Sequence, residues 1–332
     1  MKVGVIGSGT WGTALAQVLN DNGHDVTLFG NRQEQVDDIN NNHKNSFYFG
    51  DEITLDKNIK ATTEMAKAID GAEIILLSVP TNAIRSVLMQ VKPFLKNKVT
   101  FINTAKGFDL DNEVRITEVI RDVIPLKLRN PIVSLIGPSH AEEVIVRDLT
   151  CVCAVSKDKD FAMEIAKIFS NDYFRVYFND DEIGSEIGVA MKNAIAIASG
   201  ILEGLNYGDN ARAALCTRGL AEIVRFGSYF GGKKETYLGL TGLGDLIVTC
   251  YSFHSRNFTA GLEIGKADGA EEFLKNNIKT VEGIRTIDVI YRKAEDNNIE
   301  LPIINSLYNI IYRGMKPSLE IEKLMGRPIR SE

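Results

Sequence analysis

A chain of 332 residues has the length of about two domains, each large enough to bury a core of its own. With 44% hydrophobic and 25% charged residues, its composition is that of an ordinary globular protein. The net charge of -6 gives no reason to expect nucleic acid or an anionic membrane surface as partner, so any site for an anion must be a local concentration of positive charge.

The chain opens directly in an apolar strand, Val3 to Ile6, with no basic leader or cleavage signal before it, which reads as a cytoplasmic protein without a secretory signal. No apolar run is expected to approach the ~18–20 residues of a membrane helix, so no membrane insertion is expected. The cysteines Cys151, Cys153, Cys216 and Cys250 are few and scattered, and read as reduced, buried thiols. No His, Cys and carboxylate cluster suggests a metal.

Strand-like runs recur through the first half: Lys2–Ile6, Asp25–Phe29, Glu73–Ser78, Val99–Asn103, Ile132–Ile136, Thr150–Val155 and Phe174–Phe178. Helical spacing fills several intervals, as at Thr13–Leu19, Ile84–Val91 and Phe161–Phe169. Strand and helix in alternation predict parallel pairing through right-handed crossovers, hence a Rossmann-like, doubly wound α/β sheet. Beyond Asn179–Glu182 the chain reads as successive helices: Ile183–Leu202, Arg212–Phe230, Phe258–Ile264, Gly283–Asp296 and Ser306–Arg313. The predicted organisation is a doubly wound α/β domain over 1–180 and an all-α domain over 181–332.

Gly7-Ser8-Gly9-Thr10-Trp11-Gly12 follows the first strand and opens the first helix. In that context Gly7 permits the tight turn, Gly9 lets the backbone approach a pyrophosphate and Gly12 lets helix and strand pack closely. The helix N-terminus adds free N–H groups and partial positive charge, although a tight packing turn uses the same residues. The second strand ends in Phe29-Gly30-Asn31-Arg32. No acid stands there to accept from a ribose 2′-hydroxyl, and Arg32 is suited to a 2′-phosphate, which favours NADPH over NADH. The plainer reading has Arg32 merely decorating the next helix.

Lys106 and the Gly137-Pro138-Ser139-His140-Ala141-Glu142 stretch each follow a strand, where open α/β sheets bind ligands. Lys192-Asn193 interrupts a strongly apolar helix, and an ammonium there needs partners unless it snorkels from a helix edge. Gly239–Asp245 is a glycine-rich turn that aims one carboxylate, Asp245, which as a helix cap would be unremarked. Ser255-Arg256-Asn257 offers hydroxyl, guanidinium and amide in succession, as a cradle for a phosphate dianion or as a plain surface turn.

In this order, these segments resemble those of the NAD(P)-dependent glycerol-3-phosphate dehydrogenases of bacteria. The matching stretches are Gly7 to Ala14, Ala105-Lys106-Gly107, Gly137 to Glu143, Ala190-Met191-Lys192-Asn193, Thr217 to Glu222, Gly239 to Asp245, Thr249-Cys250, Ser255-Arg256-Asn257 and Val281-Glu282-Gly283. They span nearly the whole chain. The resemblance implies reversible reduction of dihydroxyacetone phosphate to sn-glycerol 3-phosphate for phospholipid synthesis, with NADPH or NADH, in a homodimer. It makes Lys192 the general acid/base, with Lys106 touching substrate and cofactor and Asp245 beside them. Gly137, Ser139, Ser255, Arg256 and Asn257 would hold the substrate. Trp11, Arg32, Ala141, Arg256, Val281 and Glu282 would line the cofactor.

Two departures stand out. Where the family shows Tyr-Leu-Pro-Gly, this chain has Tyr48-Phe49-Gly50, and His140 replaces a common aromatic. Two other readings use the same residues: a related dehydrogenase for another small acid, and a non-catalytic NADPH sensor. The sensor would have no need of Lys106, Lys192 and Asp245 together.

Overall fold

The computed structural model describes residues 1–109, 111–277 and 281–329. The chain divides into two compact units, Met1–Glu182 and Ile183–Glu332.

In the first unit the strands are β1 (Lys2–Ile6), β2 (Asp25–Phe29), β3 (Lys60–Thr62), β4 (Ile74–Leu77), β5 (Thr100–Asn103), β6 (Phe108–Asp109), β7 (Val114–Arg115), β8 (Val133–Ile136), β9 (Thr150–Val155) and β10 (Phe174–Asn179). The helices are α1 (Thr10–Asp21), α2 (Gln33–Asp37), α3 (Ser46–Phe49), α4 (Met65–Ala68), α5 (Ile84–Val91), α6 (Ile116–Val123), α7 (Ala141–Ile145) and α8 (Lys159–Phe169). The central strands are apolar at consecutive positions because both sheet faces are covered. Successive side chains point to opposite faces, so Ile74 and Leu76 join the core beneath α1 and α8, while Ile75 and Leu77 join the core beneath α5 and α6.

The main sheet runs β10-β9-β8-β5-β4-β1-β2-β3, with the order reversing between β1 and β4. Ligands of doubly wound sheets bind beyond the strand C-termini at such a point. One pairing departs from the all-parallel expectation: β9 runs antiparallel to β8, with Ser134 opposite Val155. The connection between them holds only the five-residue helix α7, too short to cross the sheet and return, so the chain doubles back. Three strands have no counterpart among the apolar runs of the sequence: the polar edge strand β3, which pairs with β2, and β6 and β7, which pair with each other over two residues.

The second unit is helical: α9 (Glu182–Gly204), α10 (Asp209–Tyr229), α11 (Lys234–Tyr237), α12 (Asp245–Tyr251), α13 (Arg256–Ala267), α14 (Glu271–Asn276), α15 (Glu282–Asp296), α16 (Pro302–Arg313) and α17 (Pro317–Met325). Helix α9 corrects the expectation about apolar runs. By length and composition it could cross a membrane, but 83% of its most apolar 18-residue stretch is buried inside the protein. Its hydropathy is that of a core element. Helices α9 and α13 meet backbone to backbone. A Cβ on Gly200 would stand 2.0 Å from the Phe258 carbonyl oxygen, and one on Gly261 2.0 Å from that of Ile197. Gly204 and Gly265 repeat the arrangement one turn further on.

The cysteine expectation also needs correction, since Cys151 is exposed. It takes the outward position at the start of β9, opposite Arg175 of β10, while the other three cysteines are buried.

Glu222 on α10 is buried and accepts from the Ile303 N–H at 2.7 Å and the Ile304 N–H at 3.2 Å, capping α16 behind Pro302. Burial pushes its carboxyl up to about 7, against the pull of those two amides. A pKa raised from about 4.5 in the unfolded chain makes the protonated form the stabilising one. That contribution is complete below about pH 4.5 and is lost as pH rises through 7. The stability difference between the parent and Glu222→Gln is therefore expected to move against the parent between pH 5 and 8, by up to ~3 kcal/mol. Denaturant unfolding of both proteins across that range measures it. A difference independent of pH would show that the carboxyl titrates alike folded and unfolded.

Candidate active site

The glycine loop follows β1 and makes two backbone approaches that only glycine allows. Gly7 sits at φ +113°, and a Cβ there would lie 2.3 Å from the Ser78 carbonyl oxygen. A Cβ on Gly12 would lie 1.9 Å from the Gly7 oxygen. At Gly9 an added Cβ would meet nothing within 4 Å, so the loop faces open space. Gly9 also caps α1, whose N-terminus has no side-chain cap and no acidic residue in its first turn. The buried Trp11 indole N–H has no hydrogen-bond partner among the described residues. An uncapped helix end, an open cradle and a waiting donor fit the pyrophosphate of a dinucleotide.

Sequence reasoning did not find what holds this loop. Ser8 is buried; its hydroxyl donates to Gln35 Oε1 at 2.8 Å, and its carbonyl accepts from Gln35 Nε2 at 2.6 Å and Asn45 Nδ2 at 3.0 Å. Asn45 Nδ2 also reaches Thr13 Oγ1 at 2.8 Å. Arg32, exposed at the N-terminus of α2, lies with its guanidinium carbon 4.5 Å from the centroid of the Phe47 ring. Among the described residues Arg32 has no ion-pair partner. The Tyr48-Phe49-Gly50 departure forms part of a single helical turn, α3, ended by Gly50 at φ +68°.

Lys106 lies three residues beyond β5. Its Nζ donates to the Gly137 carbonyl at 2.7 Å and reaches Ser139 Oγ at 3.5 Å, while that hydroxyl donates to the same carbonyl at 3.1 Å. Gly137, at φ +152°, follows β8 directly, and its Cβ would press on Val152 at 3.0 Å. Lys106, Gly137 and Ser139 thus form one cluster at adjacent strand ends. His140 ends that loop as the N-cap of α7, accepting from the Val144 N–H at 3.1 Å through its carbonyl, and Ala141 begins the helix, buried.

In the second unit Lys192 is buried rather than placed at a helix edge. Its Nζ donates to Asp245 Oδ1 at 2.6 Å and to Thr249 Oγ1 at 2.6 Å. The Thr249 hydroxyl donates to the Asp245 carbonyl, also at 2.6 Å. Asp245 opens α12 after the π-helical turn Leu240–Gly244, and Thr249 follows one helical turn later on the same face. That i,i+4 spacing was the available signal for Thr249. A charged pair at this depth holds only because each ion is hydrogen-bonded.

Ser255, Arg256 and Asn257 stand at the N-terminus of α13. The buried Ser255 hydroxyl accepts from the Phe258 N–H at 3.2 Å, leaving its own hydrogen to donate. Asn257 Oδ1 accepts from the Gly283 N–H at 2.8 Å, which frees its NH₂ and ties α13 to the start of α15, where Val281 is the cap and Glu282 the first helical residue. A Cβ on Gly283 would lie 2.6 Å from the Asn193 oxygen, so this junction lies against the residue after Lys192. Arg256 is exposed beside it. Two hydrogen-bond donors, a guanidinium and a helix N-terminus together favour a small dianion. Among the described residues no group of His, Cys, Asp and Glu side chains could hold a metal.

A doubly wound sheet with a dinucleotide loop, followed by a helical unit with a buried lysine, defines a nicotinamide-dependent oxidoreductase. Residues 2–162 match the N-terminal family of NAD-dependent glycerol-3-phosphate dehydrogenase, and residues 181–322 match its C-terminal family. A glycerol-3-phosphate dehydrogenase (NAD(P)+) of Streptococcus thermophilus is 47% identical over 331 residues, covering 100% of this chain and 97% of the relative. One of Enterococcus faecalis is 46% identical, with the same coverage. The crystal structure of glycerol-3-phosphate dehydrogenase from Coxiella burnetii has a TM-score of 0.90 at 34% identity, covering 98% of this chain and 99% of that one. The chain belongs to the NAD-dependent glycerol-3-phosphate dehydrogenase family, and is an oxidoreductase that uses NADPH or NADH.

Proposed function

We propose that this chain reduces dihydroxyacetone phosphate reversibly to sn-glycerol 3-phosphate, with Lys192 as general acid/base. The observation that carries this reading is the buried Lys192 ammonium, held 2.6 Å from both Asp245 and Thr249. When bound, the nicotinamide supplies the hydride to C2 of the ketone or takes it from the alcohol. Negative charge then develops on the C2 oxygen, and Lys192 stabilises that charge and gives the oxygen its proton. In the reverse direction the unprotonated amine takes the proton back. Asp245 and Thr249 fix where the ammonium points. Ser255, Arg256 and Asn257 hold the phosphate, with Lys106, Gly137 and Ser139 as further substrate contacts. The Gly7–Gly12 loop, with Ser8, Thr10 and Trp11, takes the dinucleotide, together with Arg32, Lys106, Ala141, Arg256, Val281 and Glu282. The product serves glycerophospholipid synthesis, in a cytoplasmic homodimer.

Loss of 340 nm absorbance with NADPH and dihydroxyacetone phosphate, repeated with NADH, tests the reaction. Arg32 sets the preference for NADPH, because the end of β2 presents a guanidinium and no carboxylate to the 2′-group. Arg32→Ala is expected to lower kcat/KM for NADPH and leave that for NADH little changed. Asn31→Asp should push the ratio further towards NADH by repelling the 2′-phosphate. An unchanged ratio in both variants would place the reading of the 2′-group elsewhere.

A further inference from the structure

We infer that Phe47 is a positioning residue for cofactor choice: its ring holds the Arg32 guanidinium where a 2′-phosphate arrives. This rests on the proposed role of Arg32. Phe47 is 65% exposed, and Tyr48 meets it edge-on at 4.9 Å, so the ring is not there to fill a core. What it faces is Arg32, 4.5 Å from its centroid. A carboxylate holding Arg32 would cancel the charge and occupy the N–H groups that a phosphate needs. An aromatic face attracts the cation and takes up neither.

The ring stands on a fixed base. Two residues before it, buried Asn45 donates to the Ser8 carbonyl and to Thr13 Oγ1, while the Ser46 N–H donates to Asp38 Oδ2 at 2.9 Å. Ser8 lies within the glycine loop. A single short segment, Asn45 to Phe47, therefore braces the loop that takes the pyrophosphate and pins the cation that meets the 2′-group. The side-chain freedom Arg32 would otherwise lose on binding is restricted before NADPH arrives. A nicotinamide cofactor with a free 2′-hydroxyl gains nothing from this, so the pair acts on NADPH alone.

The experiment is a double-mutant cycle in kcat/KM for both cofactors, using Arg32→Ala, Phe47→Ala and the double variant, with Phe47→Trp as the conservative replacement. Phe47→Ala is expected to lower kcat/KM for NADPH about 2- to 5-fold, the scale of an exposed cation–π contact, and to leave NADH unchanged. In the Arg32→Ala background it should change neither, and Phe47→Trp should keep the parental ratio. Equal losses with both cofactors would mean that Phe47 supports only the local fold, and the inference would be overturned. So would an unchanged ratio in Phe47→Ala when Arg32→Ala has shifted it. Should Arg32→Ala itself leave the ratio unchanged, the proposed role of Arg32 is what has failed.

Discussion

Lys192→Ala is expected to lower kcat by at least ~10²–10⁴-fold, the contribution of a positioned general acid, while NADPH affinity stays close to the parent's. The two readouts separate because the proposed dinucleotide contacts belong to other residues. The substitution also has a structural cost. It takes from the buried Asp245 the ammonium 2.6 Å away, and breaking such a pair from one side typically costs ~3–5 kcal/mol. Lys192→Met fills more of the space and provides a second protein, and the unfolding midpoint of each variant is measured before its rate. A folded variant turning over within a few-fold of the parent would remove Lys192 from the chemistry.

The second large effect is expected at the phosphate. Arg256→Ala should raise KM for dihydroxyacetone phosphate about 10- to 150-fold, from the ~1.5–3 kcal/mol of a charge-assisted hydrogen bond. Arg256 is exposed, so screening places the result near the lower end and makes it smaller still in high salt. NADPH affinity should fall as well, since the same guanidinium is assigned to the cofactor. Ser255 and Asn257 supply their donors without it. Unphosphorylated dihydroxyacetone should be a very poor substrate for the parent. Comparable reduction of both ketones would show that the start of α13 does not hold a phosphate.

What could be read in advance was whatever depends on local spacing. The apolar runs and the glycine loop placed the sheet because both sheet burial and dinucleotide approach constrain neighbouring residues. Lys192 announced itself as a charge inside an apolar helix. Gln35 and Asn45 did not, being polar residues in a stretch that reads as helix and loop. Their partner Ser8 is 27 and 37 residues away, and no periodicity links them. The reversal of β9 was hidden for a related reason, since strand direction depends on what the connection can span rather than on strand composition. Phe47 would pass for a stray apolar side chain until Arg32 is seen across its ring. Thr249 is the intermediate case. Its spacing from Asp245 was visible, but its meaning required knowing that Lys192 points at that face.

The glycine contact between α9 and α13 bears on which substrates the second unit can accept. Where backbone rests on backbone there are no rotamers to shift, so that joint cannot slip or repack as a layer of leucines would. Lys192 lies eight residues before Gly200 and Ser255 six before Gly261, arms of ~12 Å and ~9 Å at the helical rise. On the proposed roles, one arm carries the group that meets the reacting oxygen and the other the group that meets the phosphate. Such a joint works like the rivet of a fixed gauge. A molecule with one more carbon between phosphate and carbonyl is therefore expected to be a poorer substrate, because the joint leaves only side-chain movement to take up the added bond length.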